Sequence, residues 1–447
     1  MSCISRRYSR VVKTMDEITI GIISVFILMA LFLTGIELAF AMALIGVAGY
    51  AYIVGPEQAM SMLANDFYDS LESYSLTVVP LFVLMGQIAF NAGIAKRLYD
   101  SAHKFLGHIP GGLAMATVAG ATIFKAICGS IVATSATFAS VAVPEMDRYN
   151  YSKKLSTGVV ATVGTLGVLI PPSVTLILLG LITQQSIGKL FLAGIIPGLM
   201  IAFFFAFVIF GWARINPKIG PKSEKYSWPV RVKTLPDVMW PILIFFVIIG
   251  GLMYGFFTPT EAGSIGTFAV LVLCVLKGDI KFNGIRQSIK EALRTACMVL
   301  VIVAASTVLG HFIAVTNIPN AVAEWVVTLP LHRHIIMIVI FLIYLVGGSF
   351  IDDLAFMILA TPIFYPAIVN MGYDPIWACI MISLTVCVGS VIPPVAMCVF
   401  VVKNITKVPM SIIYKGVYPF LISLILCVAL LFVFPQLTLY LPSVLMK

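Results

Sequence analysis

Apolar runs of about 20 residues, each long enough to cross the roughly 30 Å hydrocarbon core of a bilayer as a helix, recur along the whole chain. Ten of them read as full crossings, at roughly 17–36, 39–54, 75–92, 155–185, 186–212, 238–256, 262–277, 295–317, 375–402 and 413–435. Two further apolar blocks, 110–147 and 332–366, are each interrupted by small residues, Gly129-Ser130 in the first and Gly347-Gly348-Ser349 in the second. Both read as re-entrant helical hairpins that enter and leave by the same face. The pattern predicts an all-α integral membrane protein, and no stretch reads as a separate soluble domain.

Composition agrees. Of 447 residues, 60% are hydrophobic and 11% charged, against about a quarter charged in a soluble protein. A net charge of +9 would point to nucleic acid in a soluble chain. Here it reads as the excess of Lys and Arg on cytoplasmic loops, with membrane lipid as the surroundings and no nucleic-acid partner. Loops sorted to one side (96–104, 148–154, 214–233, 277–294 and 403–415) hold 20 basic residues, and the other side holds Lys189, Arg333 and Lys447. The basic side is predicted to be the cytoplasmic face. That scheme puts the N-terminus outside despite Arg6, Arg7, Arg10 and Lys13; residues 1–16 are set apart as an N-terminal extension, and a native start at Met15, directly before acidic Asp16 and Glu17, would make 1–14 an upstream addition. The acidic loop 55–74 fits an outer placement. Trp212, Trp228, Trp240, Trp325 and Trp377 fall at predicted span ends or interfacial segments, as in an aromatic belt.

The two halves repeat one order of parts, in 17–237 (with a cytoplasmic linker at 213–237) and 238–447. Each has three crossings, a short amphipathic segment (93–108, then 318–330), a hairpin, an interrupted crossing and a last crossing. Five full crossings per half make the second run in the opposite sense, an inverted repeat with its site where broken helices meet. The interruptions are Pro171-Pro172 and Pro393-Pro394, which follow Ser130 by 41 positions and Ser349 by 44.

A double proline removes two backbone donors and frees upstream carbonyls, and unwound backbone at membrane depth survives only buried or beside a wet cavity. Freed carbonyls with Ser and Thr hydroxyls make an oxygen cage for a small cation such as Na⁺, while half-helix N-termini suit an anion. Candidate cation ligands are Ser130, Gly164, Thr165 and Gly167 in the first half, and Ser349, Asp352, Gly389, Ser390 and Ile392 in the second. Candidate substrate contacts are Lys125, Ser130, Thr134, Ser173 and Ser349. Asp352 is preferred over Asp353 because a helix would place it on the face of Ser349. Each has a plainer reading. The hydroxyls can bond carbonyls of their own helices, Lys125 can snorkel to water, and the two aspartates can reach vestibule water. Glu261 with Thr258 reads as a helix cap, and Glu145, Asp147 and Arg148 as a solvated cluster. The 277–294 stretch reads as an interfacial amphipathic arm.

The stretches GSIVATSATFASVAVPEM (129–146), GTLGVLIPPS (164–173), SIGKLFLAGIIPG (186–198), FTPTEAG (257–263), GSFIDDLAFMILATPIFYP (348–366) and GSVIPPVAMCVFV (389–401) resemble the large membrane subunit of tripartite ATP-independent periplasmic (TRAP) transporters. The resemblance implies an elevator-type, Na⁺-coupled importer of carboxylates such as sialic acid or C4-dicarboxylates, with at least two Na⁺ sites. It also implies two partners, a smaller four-helix membrane subunit and a periplasmic substrate-binding protein. Ile392 stands where similar proteins usually carry Thr, so a ligand there would be its carbonyl or Ser390. The rivals are a self-sufficient carboxylate symporter and a membrane-embedded enzyme. The latter needs a nucleophile and base or a metal site at depth, and the histidines fall mostly at segment ends.

Overall fold

The computed structural model describes residues 2–328 and 331–446, without the side chains of 2–16, 33, 323 and 325–328. Among these residues there are helices and no strand. The first half comprises α1 (Ser2–Leu33), α2 (Leu38–Ile53), α3 (Pro56–Glu72), α4 (Val78–Asn91), α5 (Ile94–Leu106), α6 (Gly112–Lys125), α7 (Ile131–Arg148), α8 (Lys153–Val163), α9 (Leu166–Leu169), α10 (Val174–Ile182) and α11 (Ile187–Ile215). A short α12 (Trp228–Val232) precedes the second half. That half comprises α13 (Leu235–Met253), α14 (Pro259–Leu276), α15 (Phe282–Val315), α16 (Ile318–Thr328), α17 (Arg333–Phe350), α18 (Asp353–Asn370), α19 (Pro375–Gly389), α20 (Met397–Thr406), α21 (Met410–Val433) and α22 (Gln436–Leu445).

Nine helical stretches among the described residues are long and apolar enough to cross a bilayer. Seven coincide with expected crossings, and two are the arms of the second hairpin, α17 and α18. The three remaining crossings fall on shorter apolar helices, Glu17–Phe32, Leu38–Ile53 and Pro375–Gly389. At 18 residues each, α17 and α18 are about 27 Å long. They nearly traverse the hydrocarbon, yet the pair still returns to its starting face. Large apolar side chains such as Phe203, Phe207, Phe246, Phe268 and Ile422 face outward, as lipid contact requires.

A constant shift relates the halves. Ile131–Arg148 and Asp353–Asn370 differ by 222 positions at both ends. The same shift carries Lys153 onto Pro375, Pro171 onto Pro393 and Gly167 onto Gly389, and it overlays α2 on α14 and α11 on α21. Packing follows the pairing across halves: α2 lies on α15 as α14 lies on α4, α8 on α21 as α19 on α11, and α7 on α20 as α18 on α10. Each proline pair contains a cis peptide bond.

The structure corrects or narrows the sequence reading at three places. The second hairpin turns at Ile351 and Asp352, inside the Gly348–Asp353 stretch expected to carry the turn, and the small residues Gly347, Gly348 and Ser349 form the last turn of α17. Those small residues serve close packing: a Cβ on Gly348 would lie 2.6 Å from the Val386 carbonyl oxygen. The 277–294 arm is continuous with the crossing that follows, as the 34-residue α15. Under the 222 shift its counterpart is α3, within the stretch expected to be an acidic loop. Trp377 is a core residue, 1% exposed, with its indole N–H donating to the Leu431 carbonyl at 2.9 Å. Trp228 and Trp240 are exposed as an interfacial ring requires, and the side chain of Trp325 lies outside the described residues.

Candidate functional site

Both hairpin tips end on a helix N-terminus, and each is capped by its own side chain. Ser130 Oγ accepts from the Ala133 N–H at 3.2 Å. At the equivalent position, Asp352 Oδ1 accepts from the Leu354 and Ala355 N–H groups at 3.1 and 3.3 Å. Asp352 precedes Pro393 by 41 positions, as Ser130 precedes Pro171. The true counterpart of Ser130 is therefore Asp352 rather than Ser349. Such caps satisfy N–H groups that a helix end leaves without a partner.

The tips and the two broken crossings enclose one cavity of about 400 Å³. Gly129 to Ala133 line it from the first tip, Asp352 to Leu354 from the second, Val174 and Thr175 from the start of α10, and Met397 from the start of α20. The N-terminal ends of α7, α10, α18 and α20 therefore converge on the same space. Gln87 of α4 and Thr295 of α15 close it from the crossings outside the hairpins. Glycines allow this assembly. A Cβ on Gly129 would sit 2.8 Å from the Pro172 carbonyl oxygen, and one on Gly86 would sit 3.2 Å from Cys128 Sγ.

The candidate residues divide by position. Ser130 and Asp352 line the cavity, whereas Lys125, Thr134, Ser173 and Ser349 are buried behind its wall. The hydroxyls bond backbone carbonyls, as their plainer reading holds. Thr134 donates to Ser130 O (2.9 Å), Ser173 to Val168 O (2.7 Å), Ser349 to Val346 O (2.7 Å), Thr165 to Thr162 O (2.7 Å) and Ser390 to Cys387 O (2.7 Å). Of the proposed cation ligands, Gly164 packs on the Ile131 carbonyl and Gly167 on the Lys125 side chain. In the second half, Gly389 packs on Gly348 and Ser349, the Val395 N–H donates to Ser349 O at 3.2 Å, and the Ile392 N–H donates to Gly389 O at 3.0 Å.

Asp353, set second to Asp352 in the sequence reading, is the deeper carboxylate. It lines the cavity, is 9% exposed, and its Oδ2 has no hydrogen-bond partner among the described residues. A buried polar atom left alone is costly and calls for an occupant. Oδ2 of Asp353 faces the cavity that Met397, at the start of α20, also lines. At the first tip Lys125 Nζ donates to Ser130 O at 2.6 Å. Sequence reasoning missed Gln87, Thr175 and Thr295. Gln87 did carry a signal, as the one polar side chain in the apolar run 78–90.

Thr258 and Glu261 form the expected reciprocal cap at the start of α14. Arg148 pairs with Glu145 at 3.1 Å and Lys153 with Asp147 at 2.5 Å, a partly exposed cluster away from the cavity.

The family described as "Tripartite ATP-independent periplasmic transporter, DctM component" matches residues 25–437. The chain belongs to this family. A C4-dicarboxylate TRAP transporter large permease protein of Pseudomonas aeruginosa is 31% identical, over 89% of this chain and 93% of the relative. An ectoine TRAP transporter large permease protein of Halomonas elongata is 33% identical, over 94% of this chain and 98% of the relative. Among solved structures, the YdaH transporter of Alcanivorax borkumensis has a TM-score of 0.62 at 11% identity, covering 85% of this chain and 88% of that one. That likeness concerns the fold. The chain is thus a transport subunit of the TRAP type and a multi-pass inner-membrane protein, not an enzyme.

Proposed function

We propose that this large permease imports a carboxylate solute together with Na⁺, both held in the cavity between the hairpin tips. The observation that carries the reading is the convergence of four helix N-termini and one buried carboxylate oxygen, without a partner among the described residues, on a single 400 Å³ space. Helix N-termini present N–H groups and positive dipole ends to an anion. Asp353 Oδ2 offers the adjoining cation position, close to the second break. The two named relatives transport solutes that carry a carboxylate, which supports the same class here. The hairpins and broken crossings would move as one body against the other crossings, an elevator motion that carries the cavity across the membrane. The basic loops would face the cytoplasm.

A binding protein would deliver the solute from the periplasm, and the smaller four-helix subunit would brace the outer crossings. Reconstitution tests this. Proteoliposomes holding all three components should take up solute only with an inward Na⁺ gradient, and should ignore ATP. Equal uptake with K⁺ replacing Na⁺ at constant voltage would remove the Na⁺ claim. Robust uptake by this chain alone would favour the self-sufficient symporter.

A further inference from the structure

Lys125 lies at the end of α6 with none of its surface exposed. The 222 shift carries it onto Gly347, so the second half has no side chain there. It also pairs Gly167 with Gly389, the glycines that precede the two breaks. Around Gly389 the space is taken by backbone: an added Cβ would meet Gly348 C at 2.6 Å, Leu345 O at 2.7 Å and Ser349 N at 2.8 Å. Around Gly167 it is taken by one side chain, since an added Cβ would overlap Lys125 Nζ, Cε and Cδ. The ammonium therefore sits against the pre-break glycine of the first half and donates to Ser130 O at 2.6 Å.

Ser130, Gly164, Thr165 and Gly167 are the residues from which the sequence predicts the first cation site. Ser130 and Gly167 do meet around one point, and the cation at that point is part of the chain. A buried ammonium persists when carbonyl oxygen and an opposite charge compensate it. Ser130 O supplies the carbonyl oxygen, and Asp353 of the second tip is the carboxylate that lines the adjoining cavity. A Na⁺ ion brought into the same cage would meet a like charge in a desolvated setting, where repulsion is strongest.

We propose that Lys125 is the tethered cation of the first tip: its ammonium takes the place of an exchangeable Na⁺ between Ser130 and Gly167, and only the second tip takes Na⁺ from solution. The proposal rests on the Na⁺ coupling argued above. It makes this permease carry one Na⁺ fewer per solute than two cation-binding tips would. It also keeps the first tip pinned to its break whether or not Na⁺ is present.

The test counts bound Na⁺ on the purified full chain by equilibrium dialysis with radioactive sodium, together with the slope of Na⁺-dependent thermal stabilisation. Wild type should bind one Na⁺ per chain, with a Hill coefficient near one. Lys125→Gly, which installs the residue of the second tip, should gain one further Na⁺ and a steeper, two-site stabilisation curve. A wild-type count of two would overturn the lysine's role and leave Na⁺ coupling standing. So would an unchanged count of one in a folded Lys125→Gly protein. A wild-type count of zero would contradict both this proposal and the coupling beneath it. Where Lys125→Gly does not fold, Lys125→Ala removes the same ammonium without a helix-breaking glycine and should gain the same further Na⁺; a count of one there overturns the proposal.

Discussion

At the first hairpin tip the N-terminal cap is Ser130 and the buried charge is Lys125; at the second the cap is Asp352 and the buried charge is Asp353. The backbone plan is shared, down to the 41 positions between cap and proline pair. The charges are opposite, and they lie at different depths. Lys125 is sealed behind the cavity wall by α6, α7 and the Gly167 backbone, whereas Asp353 lines the cavity. Symmetry therefore supplies two similar cradles, and their side chains differ; under the proposal above, one is filled by Lys125 and the other takes an ion from solution.

The largest effect should come from adding a methyl group at each pre-break glycine. In Gly389→Ala the Cβ meets only backbone, 2.6 to 2.8 Å away, and backbone at a helix crossing cannot step aside. Overpacking of this kind costs about 1–3 kcal/mol, seen as a lower melting midpoint of the detergent-extracted protein. Gly167→Ala meets the far end of a lysine, so its cost should be smaller. It should also disappear in a Lys125→Ala background, because the two changes act on one contact. Equal melting losses for Gly389→Ala and Gly167→Ala would mean that the two cradles are filled alike.

The caps come next. Ser130→Ala and Asp352→Ala should each cost about 1 kcal/mol, since each removes an acceptor for helix N–H groups. Asp352→Asn keeps a capping oxygen and should leave the melting midpoint nearly unchanged. A full loss with Asn would show that the Asp352 charge matters beyond its cap. The smallest effect is expected from Ile392→Thr, which adds one hydroxyl at the second break. One extra oxygen contact is worth about 1 kcal/mol, so the Na⁺ requirement should fall by roughly fivefold or less. No change would place the side chain of 392 away from the cation.

Much of this was legible in the sequence because the features are local and chemical. A proline pair breaks a helix wherever it stands, and a run of about 20 apolar residues crosses a bilayer by length alone. The inverted repeat, both hairpins and both breaks follow from such features. What was misread depends on contacts between distant segments. Gly347-Gly348-Ser349 looks like the start of the turn, yet its smallness serves the approach of α17 to α19, and the chain turns only at the end of the Gly348–Asp353 stretch, at an aspartate cap. Trp377 stands at a span end like the other tryptophans, and only the packing of α19 against α21 buries it. Lys125 was read as a substrate contact or a snorkelling side chain. Its actual partners, Ser130 O and Gly167, are five and 42 residues away. Thr175 and Thr295 carry no local mark at all, because the cavity they line exists only once both halves are assembled.

The account stands on a cation held by the second tip at Asp353, and the Na⁺ dependence of uptake by Asp353→Asn measures that directly. Asn keeps the size of the side chain and removes its charge. A carboxylate facing a cation in a partly desolvated site contributes several kcal/mol, and each 1.4 kcal/mol is a tenfold change in affinity. In proteoliposomes with both partner subunits, Asp353→Asn should need at least about tenfold more Na⁺ for half-maximal uptake, while Asp352→Asn shifts it less. An Asp353→Asn protein that assembles normally and transports with the wild-type Na⁺ dependence would contradict the account.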